Sequence, residues 1–458
     1  MNRIIINEID NTTNIFGTDN HDVVYIPGFS IASLDEGEQS AKPHVPTLCN
    51  SLADFWKYFG YDAPVFKTEQ YYPASFSATA TPSGPVSTSG DKIIMFQQGD
   101  FDPSYVEAVM LLSQGLRVVY ERVNEVSETA SASYDVTVEN MYQYLAGDCY
   151  SVNGSLIDKG LDIKYLTSGA YPTFEYNMPL SSNSPGSIAR LMAQLAKARG
   201  DCIAFIDHTD NPSRPLTGKD SVFSVVNNAG AFPAGSDEDL FAVMFTPWAN
   251  YATDRYSTYG TRRFPASYAY FLSLAKSIRT NPSWLAIAGV SRGQVPLLSS
   301  LNTDDKLTNA IADNYQPENG NNDYGSSINA ITYINGYGYC LWGNRTLRLS
   351  TENRVGSAMG YLNLRNMVCD IKKLAFISAQ RLLFEQNTDI LWVNFKSYMT
   401  PLLDQLVSGG GISSYKLIKN QSDNKAKLSA TIRIYPIYAV DQFEISVVLS
   451  DEEVTTGE

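Results

Sequence analysis

Between residues 90 and 300 two kinds of apolar run alternate, and this alternation most constrains the fold. "KIIMFQQG", "LRVVYERV" and "CIAFIDH" fit buried strands, and the runs between them repeat apolar residues at helical spacing. "PSYVEAVMLLSQG" carries Pro103 near its start and Gly115 past its end, the punctuation of a helix. In 186–201, Ile188, Leu191, Met192, Leu195 and Ala196 form one stripe. The run 264–280 starts at a proline and holds Tyr268, Phe271, Leu272 and Ala275. Helices and strands in alternation give α/β organisation, and the unit 92–123 predicts a parallel strand pair.

The whole chain, 458 residues, is too long for one core. It reads as a multidomain α/β (α+β) protein. Residues 1–22 hold one short strand, "RIIINEI" with Ile4, Ile5 and Ile6, on a polar leash. Residues 23–123 and 186–327 form two parts of one α/β domain. In 47–61, Leu52, Phe55, Trp56 and Phe59 predict a short helix. The irregular, tyrosine-rich stretch 124–185 reads as an insertion. Residues 328–440 form a C-terminal domain: a strand pair (328–347), a long helix (360–387), a second helix (388–411) and alternating strands. Pro401 predicts a kink or split in the second helix. A last strand within 441–458 puts Phe443, Ile445, Val447 and Leu449 on one face, before an acidic tail.

A net charge of −14 counts against nucleic acid as a partner. No apolar run is long enough to span a membrane, and the opening residues are too polar for a signal peptide. The five cysteines are scattered without a C-x-x-C pair, which reads as buried thiols in a reducing cytosol. The three histidines lie far apart and no phosphate-binding loop is present, so no metal, cofactor or nucleotide is expected. One motif points to catalysis. Gly289-Val290-Ser291-Arg292-Gly293 follows an apolar run, as a nucleophile elbow does. An elbow serine takes its acid and histidine from later in the chain. Here His21, His44 and His208 all precede Ser291. The competing reading is a turn after a buried segment, with glycines supplying special backbone angles.

The C-terminal segments carry a resemblance. "INAITYINGYGYCLWGNRTL" has Asn329, Gly336, Gly338, Trp342, Gly343, Arg345 and Thr346 in a strand, glycine turn, Trp-Gly and Arg-Thr series. After it, Asn363 and Arg365 open a long helix, Phe384, Glu385 and Asn387 close it, and Leu391 and Trp392 begin the next. This order resembles the tail sheath proteins of contractile bacteriophage tails and related contractile injection particles, from about residue 23 to 450. Weaker echoes are "VYIPGF", "SLADFWKYFG", "YLTSGAYPT" and "RGDCIAFIDH". The chain departs from the pattern at Arg365-Asn366, where sheaths often have two arginines, and at Pro401.

The resemblance implies a non-enzymatic subunit that polymerises helically around an inner tail tube and contracts to drive it through a host envelope. It implies an outer or middle domain before residue 328, with 124–185 as its variable outer part, and an inner domain at 328–440. Both terminal strands would complete the sheet of neighbouring subunits. Arg345, Arg365, Lys372, Lys373 and Arg381 would face the tube. The implied partners are other copies, the tube protein, and baseplate and tail terminator proteins. The implied place is a virion assembled in a bacterial host's cytoplasm. A phage-like bacteriocin or an extracellular injection particle is the alternative setting.

Overall fold

A computed structural model of the chain describes residues 22–30, 44–71, 94–123, 138–158, 160–172, 177–181, 184–208, 237–253, 261–302, 328–348, 358–421 and 424–439. At its centre is a six-stranded sheet. The strands are β1 (Val23–Gly28), β2 (Thr47–Cys49), β3 (Arg117–Arg122), β4 (Tyr165–Leu166), β5 (Ile203–Phe205) and β6 (Ala242–Val243). Their spatial order is β6-β5-β4-β1-β3-β2. All neighbours run parallel except β2, which is antiparallel to β3.

Both faces of this sheet are covered, so its strands read as unbroken apolar runs. Val23 and Tyr25 point into one core, and Val24 and Ile26 into the other. The first core is closed by α3 (Ile188–Arg199), through Met192 and Leu195. The second is closed by α1 (Leu52–Phe59), α2 (Pro103–Ser113) and α4 (Ala266–Ser277). Ser51 caps α1 by accepting from the Asp54 amide, and Asp102 caps α2 by accepting from Tyr105.

Two sequence expectations change here. The parallel partner of β3 is β1, not the run at 92–99. Ile94–Phe96 pairs instead with Gln70–Tyr71, antiparallel. Every residue of β1 is buried, so it takes the centre of the sheet, where a run of three residues with a half-buried Phe96 does not fit. The stretch 124–185 is also no separable insertion over 138–171. It supplies β4, and Met141, Tyr142, Leu145 and Tyr150 pack in the first core. The buried Arg199 guanidinium clamps it, donating to the carbonyls of Leu156 (2.5 Å), Asp158 (2.9 Å) and Leu161 (2.9 Å) and to Asp201. Its tyrosines satisfy their hydroxyls internally: Tyr150 donates to Thr167 O at 2.6 Å and Tyr142 to Pro172 O.

The C-terminal lobe follows. Strand β7 (Phe245–Thr246) runs parallel to β8 (Asn329–Ile334), which pairs antiparallel with β9 (Gly338–Trp342), as the glycine turn predicts. Helices α5 (Leu362–Gln380) and α6 (Asp389–Ser408) share a third core with Trp284: Leu364, Met367 and Ile371 face Phe395, Met399, Leu403 and Leu406. Pro401 does not split α6. An interior proline costs about 3 kcal/mol, and burial on both sides of it, Phe395 and Met399 before and Leu402 and Leu403 after, offsets that. Helix α5 ends at Gln380, short of the expected 387, because the chain turns at Phe384 with φ of 71°. A two-stranded hairpin, β10 (Ile412–Asn420) and β11 (Ser429–Pro436), packs on α6.

Candidate assembly interface

The third core leaves much of its own lobe uncovered. Inward, the hairpin presents Tyr415, Leu417, Ile432 and Ile434 to the helices. Outward, Lys416 stands directly opposite Arg433, Ile418 opposite Thr431 and Ser414 opposite Tyr435. Among the described residues neither β10 nor β11 pairs with any strand but the other, which leaves one edge of each unpaired within that set. Two-stranded hairpins are marginal in water, and open edges invite another strand. Beside the hairpin, Leu383, Phe384, Ile390 and Val393 stand exposed around the α5–α6 turn, Phe384 completely so. A bulky residue in the left-handed region is strained, and this one makes no compensating burial. The Asn387 amide ties this turn to the hairpin through the Lys425 carbonyl at 2.8 Å.

A buried ion cluster fixes this lobe on the α/β domain. Lys164 Nζ lies 2.8 Å from Asp22 Oδ1 and 2.8 Å from Asp370 Oδ1 of α5. The two carboxylates hold the Lys164 ammonium well above its usual pKa, against the opposing effect of burial. Ser283 and Tyr165 donate to the same carboxylates, at 2.9 and 3.0 Å. Asp22 is the first described residue after the N-terminal segment, so the root of that segment is pinned to α5 through one lysine. Trp284 adds a packed contact. Its indole donates to Gly409 O at 3.2 Å and lies over the Gly409–Gly411 turn, where a Cβ on Gly409 would sit 2.4 Å from the ring.

The basic residues singled out by resemblance separate into two groups. Arg345 is buried and stacks over Tyr361, with its guanidinium 3.9 Å from the ring centre. Arg365 is buried 3.4 Å over Phe241, and burial pushes its pKa down. Lys373 is buried against Asp162 at 2.6 Å. These three hold the subunit together, which corrects their placement on a tube-facing surface. Lys372 and Arg381 are exposed. Ile4, Ile5, Ile6, Phe443, Ile445, Val447 and Leu449 lie outside the described residues. The asparagines of the motif are structural too. Asn329 Nδ2 donates to Met244 O and Arg345 O, and Asn363 Nδ2 to Trp284 O, joining the two lobes.

Ser291 sits exposed in a single helical turn, Gly289–Arg292, with no strand before it. Gly289 has φ of 73°, and a Cβ on Gly293 would come within 2.7 Å of the Ala288 backbone. The motif therefore spells a tight turn, and the nucleophile elbow is absent. His208, inside the α/β domain, is held by Thr246 at 3.1 Å. The other place where α/β proteins bind small molecules is the crevice at the carboxyl ends of the strands. At the end of β1 the chain's own side chains fill it. Asp102 accepts from Phe29 N (3.1 Å) and Tyr171 (2.7 Å), and a Cβ on Gly28 would meet the Tyr120 hydroxyl at 2.1 Å.

Among the described residues no cluster of histidine, cysteine or carboxylate side chains could hold a metal, and no helix is long and apolar enough to cross a membrane. The described cysteines are free and buried.

No protein-family model matches the sequence, and no curated protein matches it. Solved structures do match. A chain of the anti-feeding prophage baseplate in its contracted state is 14% identical with a TM-score of 0.59, covering 99% of this chain and 98% of that one. The sheath complex of the extracellular contractile injection system PVC, in its contracted state, is 13% identical with a TM-score of 0.54, covering 98% of each. The contracted helical sheath of the anti-feeding prophage is 14% identical with a TM-score of 0.53, covering 98% of this chain and all of that one. The fold is therefore that of contractile-sheath proteins. Within that fold, the structures it resembles here come from phage-like injection systems.

Proposed function

We propose that this chain is the structural subunit of a contractile sheath. The observation that carries the reading is a fold shared end to end with sheath assemblies, combined with a C-terminal hairpin whose two outer edges pair with no strand among the described residues. Copies stack helically around an inner tube and stay linked while they slide. The strands at Ile4–Ile6 and at Phe443, Ile445, Val447 and Leu449 of neighbouring copies add to the open edges, because backbone hydrogen bonds grip without a rigid interface. Lys372 and Arg381 are the exposed basic residues left to face an acidic tube. Contraction draws on energy stored at assembly and drives the tube through a cell envelope, with baseplate and terminator proteins at the ends.

An extracellular injection particle is favoured over a genome-ejecting phage tail by the identity of the matched particles, PVC and the anti-feeding prophage. Electron microscopy of the purified chain, with and without the tube protein from the same gene cluster, tests the proposal. Hollow helical tubes of uniform width that are lost on deleting residues 1–22 or 441–458 support it. Persistent monomers in both conditions overturn it.

A further inference from the structure

The hairpin is basic in an acidic chain. Its outer face and turn carry Lys416, Lys425, Lys427 and Arg433, all exposed. Lys419, on the inner face, is already taken by Asp389 at 2.8 Å. Lys416 and Arg433 stand directly opposite each other across the strand pair, with no ion pair for either among the described residues. Like charges in that position repel, so the face is made for something negative. Within the chain the complementary charge lies at the C-terminus. Residues 441–458 carry Asp441, Glu444, Asp451, Glu452, Glu453 and Glu458, and no lysine or arginine.

We propose that the basic hairpin is the electrostatic receptor for the acidic segment 441–458 of a neighbouring copy, so that charge as well as strand pairing selects the incoming arm. This rests on the woven-arm reading and adds what the arm is recognised by. Two features favour a neighbour over the chain's own tail. Ile437 N donates to Gly411 O at 3.2 Å, and Tyr438 packs edge-on against Tyr361 with ring centres 5.3 Å apart. With Ile437 and Tyr438 held there, a return of the chain's own tail along β11 has only residues 439 and 440 in which to turn. Length fits as well. Residues 441–450 extended span about 33 Å, enough to run the whole edge of β10, so the acidic tail falls at an end of the hairpin. The turn end carries Lys425 and Lys427.

The test uses the full chain. Equal amounts of unlabelled and nitrogen-15 protein are mixed, assembled and treated with a zero-length carbodiimide, which joins a carboxylate to a lysine amine in contact. Mass spectrometry should find Asp451, Glu452 or Glu453 linked to Lys416, Lys425 or Lys427 in mixed-isotope pairs. Links confined to one isotope, or none to the hairpin, overturn the proposal. In parallel, K416E/R433E and D451K/E452K/E453K should each raise the protein concentration needed for assembly about tenfold, and combining them should restore it to within about twofold. Charge reversals that leave that threshold unchanged overturn the electrostatic receptor. If deletion of 441–458 still abolishes assembly in that case, the woven strand survives without it. If deletion leaves assembly intact, both readings fall.

Discussion

The central α/β sandwich and the C-terminal hairpin follow opposite rules in one chain. In the sandwich, β1 is buried on both faces, and even a guanidinium as large as that of Arg199 finds its partners inside. In the hairpin, one face is apolar and packed, the other is charged and open, and neither edge is paired within the described residues. The first region packs against its own subunit on both faces. The second has, among the described residues, an unpaired edge on each strand, and on the proposed function strands of other copies would complete it. A substitution in the sandwich should therefore read out as stability, and one at the hairpin or the neighbouring turn as assembly.

The largest effect should come where the two regions are joined. Lys164→Ala leaves Asp22 and Asp370 buried without their cation, and should cost about 3–5 kcal/mol in denaturant unfolding. A loss under 1 kcal/mol would show that the cluster does not fix the lobe. Next, Leu403→Ala empties the seam between α5 and α6 and should cost about 2–5 kcal/mol, because Leu403 is wholly buried.

A third effect is smaller and depends on pH. Glu107 is fully buried, neither of its oxygens has a hydrogen-bond partner among the described residues, and burial together with Asp207 and Asp102 pushes its pKa well above 4.5. The folded chain therefore keeps a proton there that the unfolded chain has lost above that value. The contribution is fully present below 4.5 and is lost as pH rises toward the folded pKa. Glu107→Gln removes this loss. Against wild type it should gain stability between pH 5 and 8, by at most about 1.4 kcal/mol per unit. Asp207, raised to about 6 by burial, adds its own loss between about pH 4 and 6 in both proteins. Parallel wild-type and variant curves would mean that Glu107 is ionised in the fold.

The smallest change in stability should separate the regions most clearly. Phe384→Gly relieves a left-handed backbone at a side chain that packs on nothing, and should stabilise the monomer by about 1 kcal/mol. If the α5–α6 turn meets a neighbour, the same variant should assemble less well. Unchanged assembly would remove the turn from the interface.

Most of the sandwich was legible in the sequence because its signals are local. The stripe on α3, the proline and glycine that bracket α2 and the apolar runs of β3 and β5 each declare themselves within a dozen residues. Pairing was not legible. That β3 joins β1 across some 90 residues, and that Tyr165–Leu166 enters the sheet centre, depends on burial that a two-residue strand cannot advertise. The glycines around Ser291 were legible as a turn, and Gly289 indeed takes a φ of 73° there. The resemblance put Arg345, Arg365 and Lys373 on the tube face, and only the fold brings Tyr361, Phe241 and Asp162 to them. The alternation in the hairpin was legible as strands, but not that Lys416 and Arg433 would stand opposite each other on one face.

Hydrogen–deuterium exchange of the hairpin, compared between free subunits and assembled particles, tests the central claim most directly. If neighbouring copies complete the sheet, the outward amides of residues 412–420 and 429–436 exchange quickly in the free subunit and become protected on assembly, while β1 and β3 stay protected in both. Hairpin amides that exchange at the same rate in both states would contradict it.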